Sequence, residues 1–212
     1  MEKYLTSIED FNPEAIIIDA GTFPTSPIAL RWLDLCDKIV CCDGAANEFV
    51  ATRYTPWRIV GDGDSMSADV RVRYSDIIRR NPDQETNDQT KAVKYLAERG
   101  VSRIVILGAT GRREDHTLGN ISLLMEYLRH GIEARIYTDY GVFIPASGTR
   151  TFRCAPGSQV SIFNFGATEM RADNLVYPIR PFRNWWEGTL NETSAPHFTI
   201  HSNAPYLIFL NY

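Results

Sequence analysis

The sequence predicts an α/β domain followed by an all-β sandwich, and two observations indicate this class. Between residues 14 and 139, short apolar runs alternate with segments that repeat apolar residues at helical spacing. After about Asp139 the segments are short, β-rich and separated by glycine and proline. Alternating strands and helices are typical of βαβ units, and short, closely spaced strands are typical of a sandwich. We therefore predict a Rossmann-like domain with a mostly parallel sheet over residues 1–140 and a β-sandwich over residues 141–212.

The first domain is predicted to contain six strands and four helices. In the third helix Val93, Leu96 and Ala97 form an apolar stripe, Asn87 can cap the start and Gly100 can end it in a left-handed conformation. The strands are predicted at residues 15–19, 38–42, 58–60, 76–78, 103–107 and 133–138, and the helices at residues 27–35, 45–52, 88–99 and 116–130.

Composition excludes several classes of function. The chain has 212 residues, 44% of them hydrophobic and 23% charged, with a net charge of -4, which is typical of a soluble globular protein and does not favour nucleic acid or an anionic membrane as partner. No apolar run is long enough to span a bilayer, and the acidic N-terminus is unlike a secretory signal, so we expect a cytoplasmic protein. The four cysteines contain no CxxC pair and are expected to be buried, reduced thiols rather than a zinc site.

Carboxylates follow four predicted strands at the point where each strand ends. They lie in CCDGAAN (Asp43), GDGDS (Asp62 and Asp64), NPDQETNDQTK (Asp88) and GATGRREDHT (Asp115). Each motif alone also fits an ordinary solvated turn or an acid at a helix start. Together they fall at the edge of the sheet where open α/β proteins bind ligands, and several carboxylates there would repel one another without a cation. Magnesium, which combines carboxylates with phosphates and water, resolves this repulsion.

Glycines and cations accompany these acids. Gly44 and Gly111 lie in loops that open helices, where backbone N–H groups can bind phosphate, and Lys91, Arg112 and Arg113 can bind phosphate with their side chains. Neither the dinucleotide pattern GxGxxG nor the P-loop pattern GxxxxGK[ST] is present. The combination predicts a magnesium–nucleotide site for phosphoryl transfer.

The ordered motifs CCDGAAN, GDGDS, DQETNDQTKA and GATGRREDHTLGNI resemble those of thiamine pyrophosphokinases, whose pattern runs DGGAN, GDFDS, DQxxTDxxKA and GGxGGRxDHTLxN. The resemblance extends over nearly the whole chain and includes the division into two domains. It implies transfer of the pyrophosphoryl group of ATP to the hydroxyl of thiamine, giving thiamine diphosphate and AMP, in a homodimer whose active site is shared between subunits. Two alternatives stay open: another Mg-dependent nucleotide transferase acting on a heterocyclic alcohol, or a non-catalytic thiamine- or nucleotide-binding protein of the same fold.

The resemblance also implies roles for individual residues. Magnesium would be held by Asp62, Asp64 and Asp88, and Gln84 would lie in the thiamine pocket. Either Asp88 or Asp115 would take the proton of the attacking alcohol. The residues expected near the nucleotide or its phosphates are Asp43, Gly44, Asn47, Lys91, Gly111, Arg112 and Arg113.

This chain departs from the family pattern at several positions. Gly63 replaces the Phe of GDFDS, which predicts a looser turn unless a neighbour fills the space, and Ala45, Asn87 and Arg112 replace Gly, Thr and Gly. In the β domain, WWEGTLNETS is similar to the family segment GTLxxxSN: Ser194 matches its serine, and Ala195 stands where Asn is expected. Trp185 and Trp186 are expected either to stack on a thiamine ring or to lie in the sandwich core or a dimer interface.

Overall fold

The structure, a computed structural model, describes residues 6–212 and divides into two compact units. Pro13–Asp139 forms an α/β unit, and Tyr140–Tyr212 forms a β unit together with the described residues up to Asn12. The α/β unit contains a parallel sheet with helices and the β unit contains two antiparallel sheets. The predicted fold class is therefore confirmed.

The six strands of the α/β unit are β1 Ala15–Ile18, β2 Ile39–Cys42, β3 Arg58–Gly61, β4 Ile78–Arg80, β5 Arg103–Leu107 and β6 Glu133–Tyr137. They are all parallel and lie in the order β6-β5-β1-β2-β3-β4. Apart from the edge strand β4, which reads IRR and is largely exposed, the strands have short apolar runs at their centres, as expected for strands covered on both faces. The chain adds β2, β3 and β4 on one side of β1 and then returns to place β5 on the other side, so the order reverses between β1 and β5. Ligands of open α/β sheets bind at such a reversal.

Five helices accompany this sheet. Asn87 caps the fourth as predicted, because its Oδ1 accepts the N–H of Thr90 at 2.9 Å, and Gly100 follows with φ +78°. That helix packs on β1, β2 and β3 through its apolar stripe. The helices are α1 Pro27–Leu35, α2 Ala46–Phe49, α3 Ala68–Arg73, α4 Asp88–Ala97 and α5 Glu114–Arg129.

Three predicted boundaries are wrong. The predicted strand at 76–78 is largely a 3₁₀ turn, Ser75–Ile77, closed by the Ile77 N–H on the carbonyl of Tyr74, and the strand follows it. The predicted helix at 45–52 is a 3₁₀ turn, Asp43–Ala45, leading into the short α2. Helix α5 begins two residues before the predicted start, and α3 was not predicted.

The strands of the β unit are β7 Gly141–Ala146, β8 Arg150–Arg153, β9 Gln159–Asn164, β10 Met170–Asp173, β11 Asn191–Glu192, β12 His197–Ser202 and β13 Tyr206–Asn211. They form a sandwich in which four strands pair in the order β11-β9-β13-β7 and three in the order β10-β12-β8. The rings of Phe152 and Phe198, on neighbouring strands, stack 5.0 Å apart in its core. The described N-terminal segment joins this unit through the N–H of Ser7 on the carbonyl of Arg153 at 2.8 Å, whereas the sequence placed residues 1–140 together.

Two global features bear on the sequence-based expectations. Cys41, Cys42 and Cys154 are buried and Cys36 is partly buried, and all four of these thiols are free of disulfides. In the part of the chain that the structure describes, no helix combines the length and hydropathy needed to cross a bilayer.

Candidate active site

A cavity of about 490 Å³ opens at the carboxyl ends of the parallel strands of the α/β unit. Its walls come from the residues that follow β1, β2, β3 and β5 and from the starts of α4 and α5. A larger groove of about 760 Å³ lies between α4 and α5, and its floor contains apolar side chains such as Val93 and Ile132. The strand-end cavity is the candidate site, because it is where charged groups converge at the reversal of strand order.

Asp43 lies beneath this cavity and holds the GDGDS loop. Its side chain has no exposed surface, and Oδ2 accepts the N–H groups of Gly63 at 3.1 Å and Ser65 at 3.0 Å. Burial raises the pKa of this carboxyl, and the neighbouring Asp62 carboxylate raises it further although the Ser65 N–H lowers it. Asp43 does not line the cavity, so the hydrogen bonds that it accepts serve to position the loop.

Asn47 also holds the GDGDS loop in place through hydrogen bonds. Its Nδ2 donates to the carbonyl of Ser65 at 2.8 Å and its Oδ1 accepts the N–H of Ser67 at 2.8 Å. On the other side, Arg71 donates to the carbonyl of Gly63 at 2.7 Å. Side chains from outside the loop therefore bind some of its backbone donors and some of its backbone acceptors.

The structure explains how this loop accommodates Gly63. Its φ is +94°, a region that L-residues rarely adopt, and the guanidinium of Arg80 lies against it, with Nε 3.5 Å from the position of an added Cβ. Arg80 is thus the neighbour that fills the space beside this glycine. Ala45, which replaces the second glycine of the DGG box, has φ -64° and needs no glycine.

Lys91 lies between two of the predicted metal ligands. Its side chain is only 3% exposed, and Nζ is 3.1 Å from Asp88 Oδ1 and 3.8 Å from Asp62 Oδ2. Asp62 Oδ1 also accepts the Asp64 N–H at 3.1 Å, and that bond is the main reason why the pKa of Asp62 is lowered. One buried ammonium thus offsets part of the repulsion between two carboxylates.

The donor set of this site fits a hard divalent cation. Asp62 and Asp88 line the cavity, and the buried Oδ1 of Asp43 has no hydrogen-bond partner although Asp62 lies next to that carboxyl. Within residues 6–212, no group of three or more His, Cys, Asp or Glu side chains has the arrangement of a metal site. Magnesium commonly takes only one or two carboxylates and completes its shell with phosphate oxygens and water. Asp64 is exposed and lies outside the cavity lining.

Asp19 is a site residue that the sequence analysis missed. It follows β1 at the reversal of strand order, lines the cavity, and is 8% exposed with no hydrogen-bond partner on Oδ2. Burial raises its pKa to about 7, with a further increase from the charge of Asp88 and a decrease from the Cys42 thiol. The signal was present in the sequence, because Asp19 ends the first strand as the other acids end theirs.

The predicted phosphate loop after β5 forms the opposite wall. Gly111 has φ +94°, and an added Cβ would lie 2.6 Å from Thr22 Oγ1, so a side chain is excluded there. Arg112 lines the cavity and forms an ion pair with Glu48. Arg113 also lines the cavity, and its guanidinium forms an ion pair with Asp115, with Nη2 2.5 Å from Oδ2.

Asp115 and Gln84 occupy different positions relative to the cavity. Asp115 is exposed and lies outside its lining, in the first turn of α5 rather than at the cap, which is Arg113. The hydrogen bond from Arg113 is the main reason why the pKa of Asp115 is lowered. Gln84 lines the cavity and donates to Asp62 Oδ2 at 3.4 Å.

The predicted residues of the β unit lie on its surface. Trp185 is 44% exposed and packs against Phe163 and Phe165, with ring centroids 6.0 and 5.7 Å away, whereas Trp186 is 73% exposed. Ser194 is exposed and its N–H donates to the carbonyl of Asn174 at 3.0 Å. Trp185 therefore combines partial burial with an accessible face, and Trp186 contributes little to the core.

Two family models match consecutive parts of the chain. The model described as thiamin pyrophosphokinase, catalytic domain, matches residues 30–136, which is half of the sequence. The chain belongs to the thiamin pyrophosphokinase family. The model of the substrate-binding domain of thiamin pyrophosphokinase matches residues 141–209. The resemblance found in the four motifs is thereby confirmed.

Individual relatives agree with this assignment. Thiamine pyrophosphokinase 1 of rice is 34% identical over a match that covers 46% of this chain and 46% of the relative, and thiamine pyrophosphokinase 2 of Arabidopsis thaliana is 33% identical over 42% of each. The match thus spans less than half the length of these curated relatives.

Solved structures share the fold at lower sequence identity. The thiamine pyrophosphokinase of Bacillus subtilis superposes with a TM-score of 0.76 at 20% identity, covering 93% of this chain and 98% of the other. The yeast thiamin pyrophosphokinase gives 0.73 at 17% identity, covering 95% and 87%.

Proposed function

We propose that this chain transfers the pyrophosphoryl group of ATP to the hydroxyl of thiamine, giving thiamine diphosphate and AMP. The observation that carries the proposal is the convergence of Asp62, Asp88 and Lys91 with Arg112 and Arg113 in one cavity of a chain that belongs to the thiamin pyrophosphokinase family. Acids that can hold a metal and cations that can hold phosphate are the two requirements of phosphoryl-type transfer.

In the proposed reaction, the hydroxyl oxygen of thiamine bonds to the β-phosphorus of ATP. The bond from that phosphorus to the oxygen bridging the α-phosphate breaks, and the oxygen leaves with AMP. Arg112, Arg113 and Lys91 bind phosphate oxygens and stabilise their charge. Asp88 is better placed than Asp115 to take the hydroxyl proton, because Asp88 lines the cavity whereas Asp115 is exposed and lies outside the lining.

The proposal includes magnesium held by Asp62 and Asp88, with Asp64 as the third predicted ligand. When bound, magnesium neutralises charge on the phosphate chain. The chain itself fixes the position of Asp62 through the Asp64 N–H and fixes the loop through Asp43 and Asn47. Lys91 separates the two lining carboxylates until phosphate oxygens compete for its ammonium.

Thiamine binding and assembly are further parts of the proposal. We place Gln84 in the thiamine pocket of one subunit and Ser194, Trp185 and Trp186 on the β unit that completes it, in a homodimer with a shared active site. The accessible indole faces of the two tryptophans support this, since such faces bind cationic rings. A cytoplasmic location is proposed as well, supported by four cysteines that form no disulfide.

The test is incubation of the purified chain with ATP, magnesium and thiamine, with products resolved by mass. We expect thiamine diphosphate and AMP in equal amounts. ADP as the product would identify a different transferase, and tight binding of thiamine without turnover would identify a binding protein.

Matched substitutions test the site itself. Asp62→Asn removes a lining carboxylate and is expected to lower kcat by at least about 100-fold, as loss of a group that stabilises transferring phosphate does. Asp37→Asn makes the same change on an exposed residue before the amino end of β2, away from the cavity, and should leave kcat within about twofold. Equal activities of the two variants would refute the assignment of Asp62.

A further inference from the structure

A second cavity, of about 390 Å³, lies between the edge strand β4 and helix α4 of the α/β unit. Four cationic side chains line it, with Glu98 as the acid among its lining residues: Arg79, Arg80, Lys91 and Lys94. The chain as a whole carries a net charge of -4. The positive charge at this cavity is therefore a local concentration, opposite in sign to the protein's overall charge.

Three of these cations are not held in a close ion pair, although the charge of Lys94 also acts on the nearby Asp83 carboxylate. Arg79 donates to the backbone carbonyls of Asp76 at 2.9 Å and Ile78 at 2.8 Å, which holds its guanidinium without neutralising it. Arg80 lies against Gly63, which has no side chain. Within residues 6–212, the structure gives no ion pair between a carboxylate and Arg79, Arg80 or Lys94.

Lys91 connects this cavity to the candidate active site. Its buried side chain lines both cavities, and it is the cation whose ammonium also contacts Asp88 and Asp62. Two arginines and two lysines can bind the oxygen atoms of a phosphate or diphosphate group, which guanidinium groups bind through paired hydrogen bonds.

We propose that the β4–α4 cavity binds a diphosphate group, as a second anion site that lies next to the catalytic cavity and shares Lys91 with it. The diphosphate can be inorganic pyrophosphate or part of a nucleotide such as ADP. The proposal does not depend on transfer to thiamine, because binding requires only the cations of this cavity.

Trp57 provides a local probe of occupancy. Its ring lies 6.1 Å from that of Tyr95, which lines the cavity. Inorganic pyrophosphate and ADP are titrated separately, without magnesium, ATP or thiamine, into the full chain labelled with ¹⁵N. The readout is the indole N–H signal of Trp57, assigned by its loss in Trp57→Phe. We expect a saturable shift with pyrophosphate, with ADP, or with both, and the effective ligand identifies the source of the diphosphate.

Three variants locate the bound anion. Combining Arg79→Gln with Lys94→Gln should weaken binding by about 10-fold or more, since two charged contacts are lost. Glu98→Gln should tighten binding by about two- to fivefold, because a repelling charge is removed, and misfolding cannot produce that gain. Arg73→Gln removes the same type of charge from α3, outside the cavity lining, and should change the affinity by less than about twofold.

Arg113→Gln separates this site from the catalytic cavity. If the anion binds at β4–α4, the Trp57 shift persists in Arg113→Gln. A shift that is lost in Arg113→Gln but kept in the Arg79→Gln, Lys94→Gln double variant would place the anion in the catalytic cavity and overturn the proposal. The absence of any shift at 10 mM of either ligand, a concentration on the order of ten times a weak Kd of 1 mM, would also overturn it.

Discussion

Replacing Asp43 tests whether this buried carboxylate acts through the loop that it holds. In Asp43→Ala the N–H groups of Gly63 and Ser65, now bonded at 3.1 and 3.0 Å, lose their acceptor. Each unsatisfied buried donor costs about 1–3 kcal/mol, so the two together cost about 2–6 kcal/mol. Removing the carboxylate also removes the cost of burying it and its repulsion with Asp62, which are two of the effects that raise its pKa, and this offsets part of the cost. We expect a net loss of about 1–4 kcal/mol in the free energy of unfolding.

Asp43→Asn is the matched comparison. Its amide oxygen can accept the same two N–H groups and the charge is absent, so the free energy of unfolding should stay within about 1 kcal/mol of the parent. Because Asp43 does not line the cavity, kcat of Asp43→Asn should fall much less than that of Asp62→Asn. Urea unfolding and steady-state kinetics measure the two effects. An Asp43→Ala cost below about 0.5 kcal/mol, or an Asp43→Asn as inactive as Asp62→Asn, would refute a positioning role.

Three further predictions follow from burial and backbone geometry. Burial raises the pKa of Asp19 to about 7 in the folded chain from its usual 3.8, so between these pH values the folded state holds a proton that the unfolded state has lost. The free energy of unfolding should therefore fall as pH rises from about 4 to 7, by on the order of 3–4 kcal/mol. Urea melts of Asp19→Asn should lose this pH dependence, and an unchanged dependence would contradict the prediction. Gly63→Ala should lower the free energy of unfolding by about 1–2 kcal/mol because of the positive φ at this position. Gly100 also has a positive φ, +78°, and no atom lies within 4 Å of its added Cβ. Gly100→Ala should therefore lower the free energy of unfolding by the same amount in urea melts but leave kcat unchanged. Trp185→Ala should lower the free energy of unfolding by about 1–3 kcal/mol and Trp186→Ala by less than about 0.5 kcal/mol, while a rise in KM for thiamine on replacing either would place that ring in the pocket.

Local patterns in the sequence determined which strands and helices surround the site. Apolar runs predicted the parallel strands, and Asn87 predicted the start of α4, because caps and strand patterning depend on residues close in the chain. Parallel strands end at one edge, so the acids after them were expected to meet, and Asp62 and Asp88 do line one cavity. The order of the motifs was sufficient to identify the family.

Only the tertiary structure decided which of these side chains face the cavity. Asp43 and Asp62 both follow strands, yet Asp43 is fully buried under the loop and Asp62 reaches the surface. The place of Lys91 between two carboxylates and of Arg80 against Gly63 depends on how α4 and β4 pack beside β3. Likewise, the junction of Ser7 with Arg153 joins residues 146 positions apart. Burial and long-range contacts are properties of the packed chain, and no local spacing encodes them, whereas the strands, caps and acidic turns are set by neighbours in sequence.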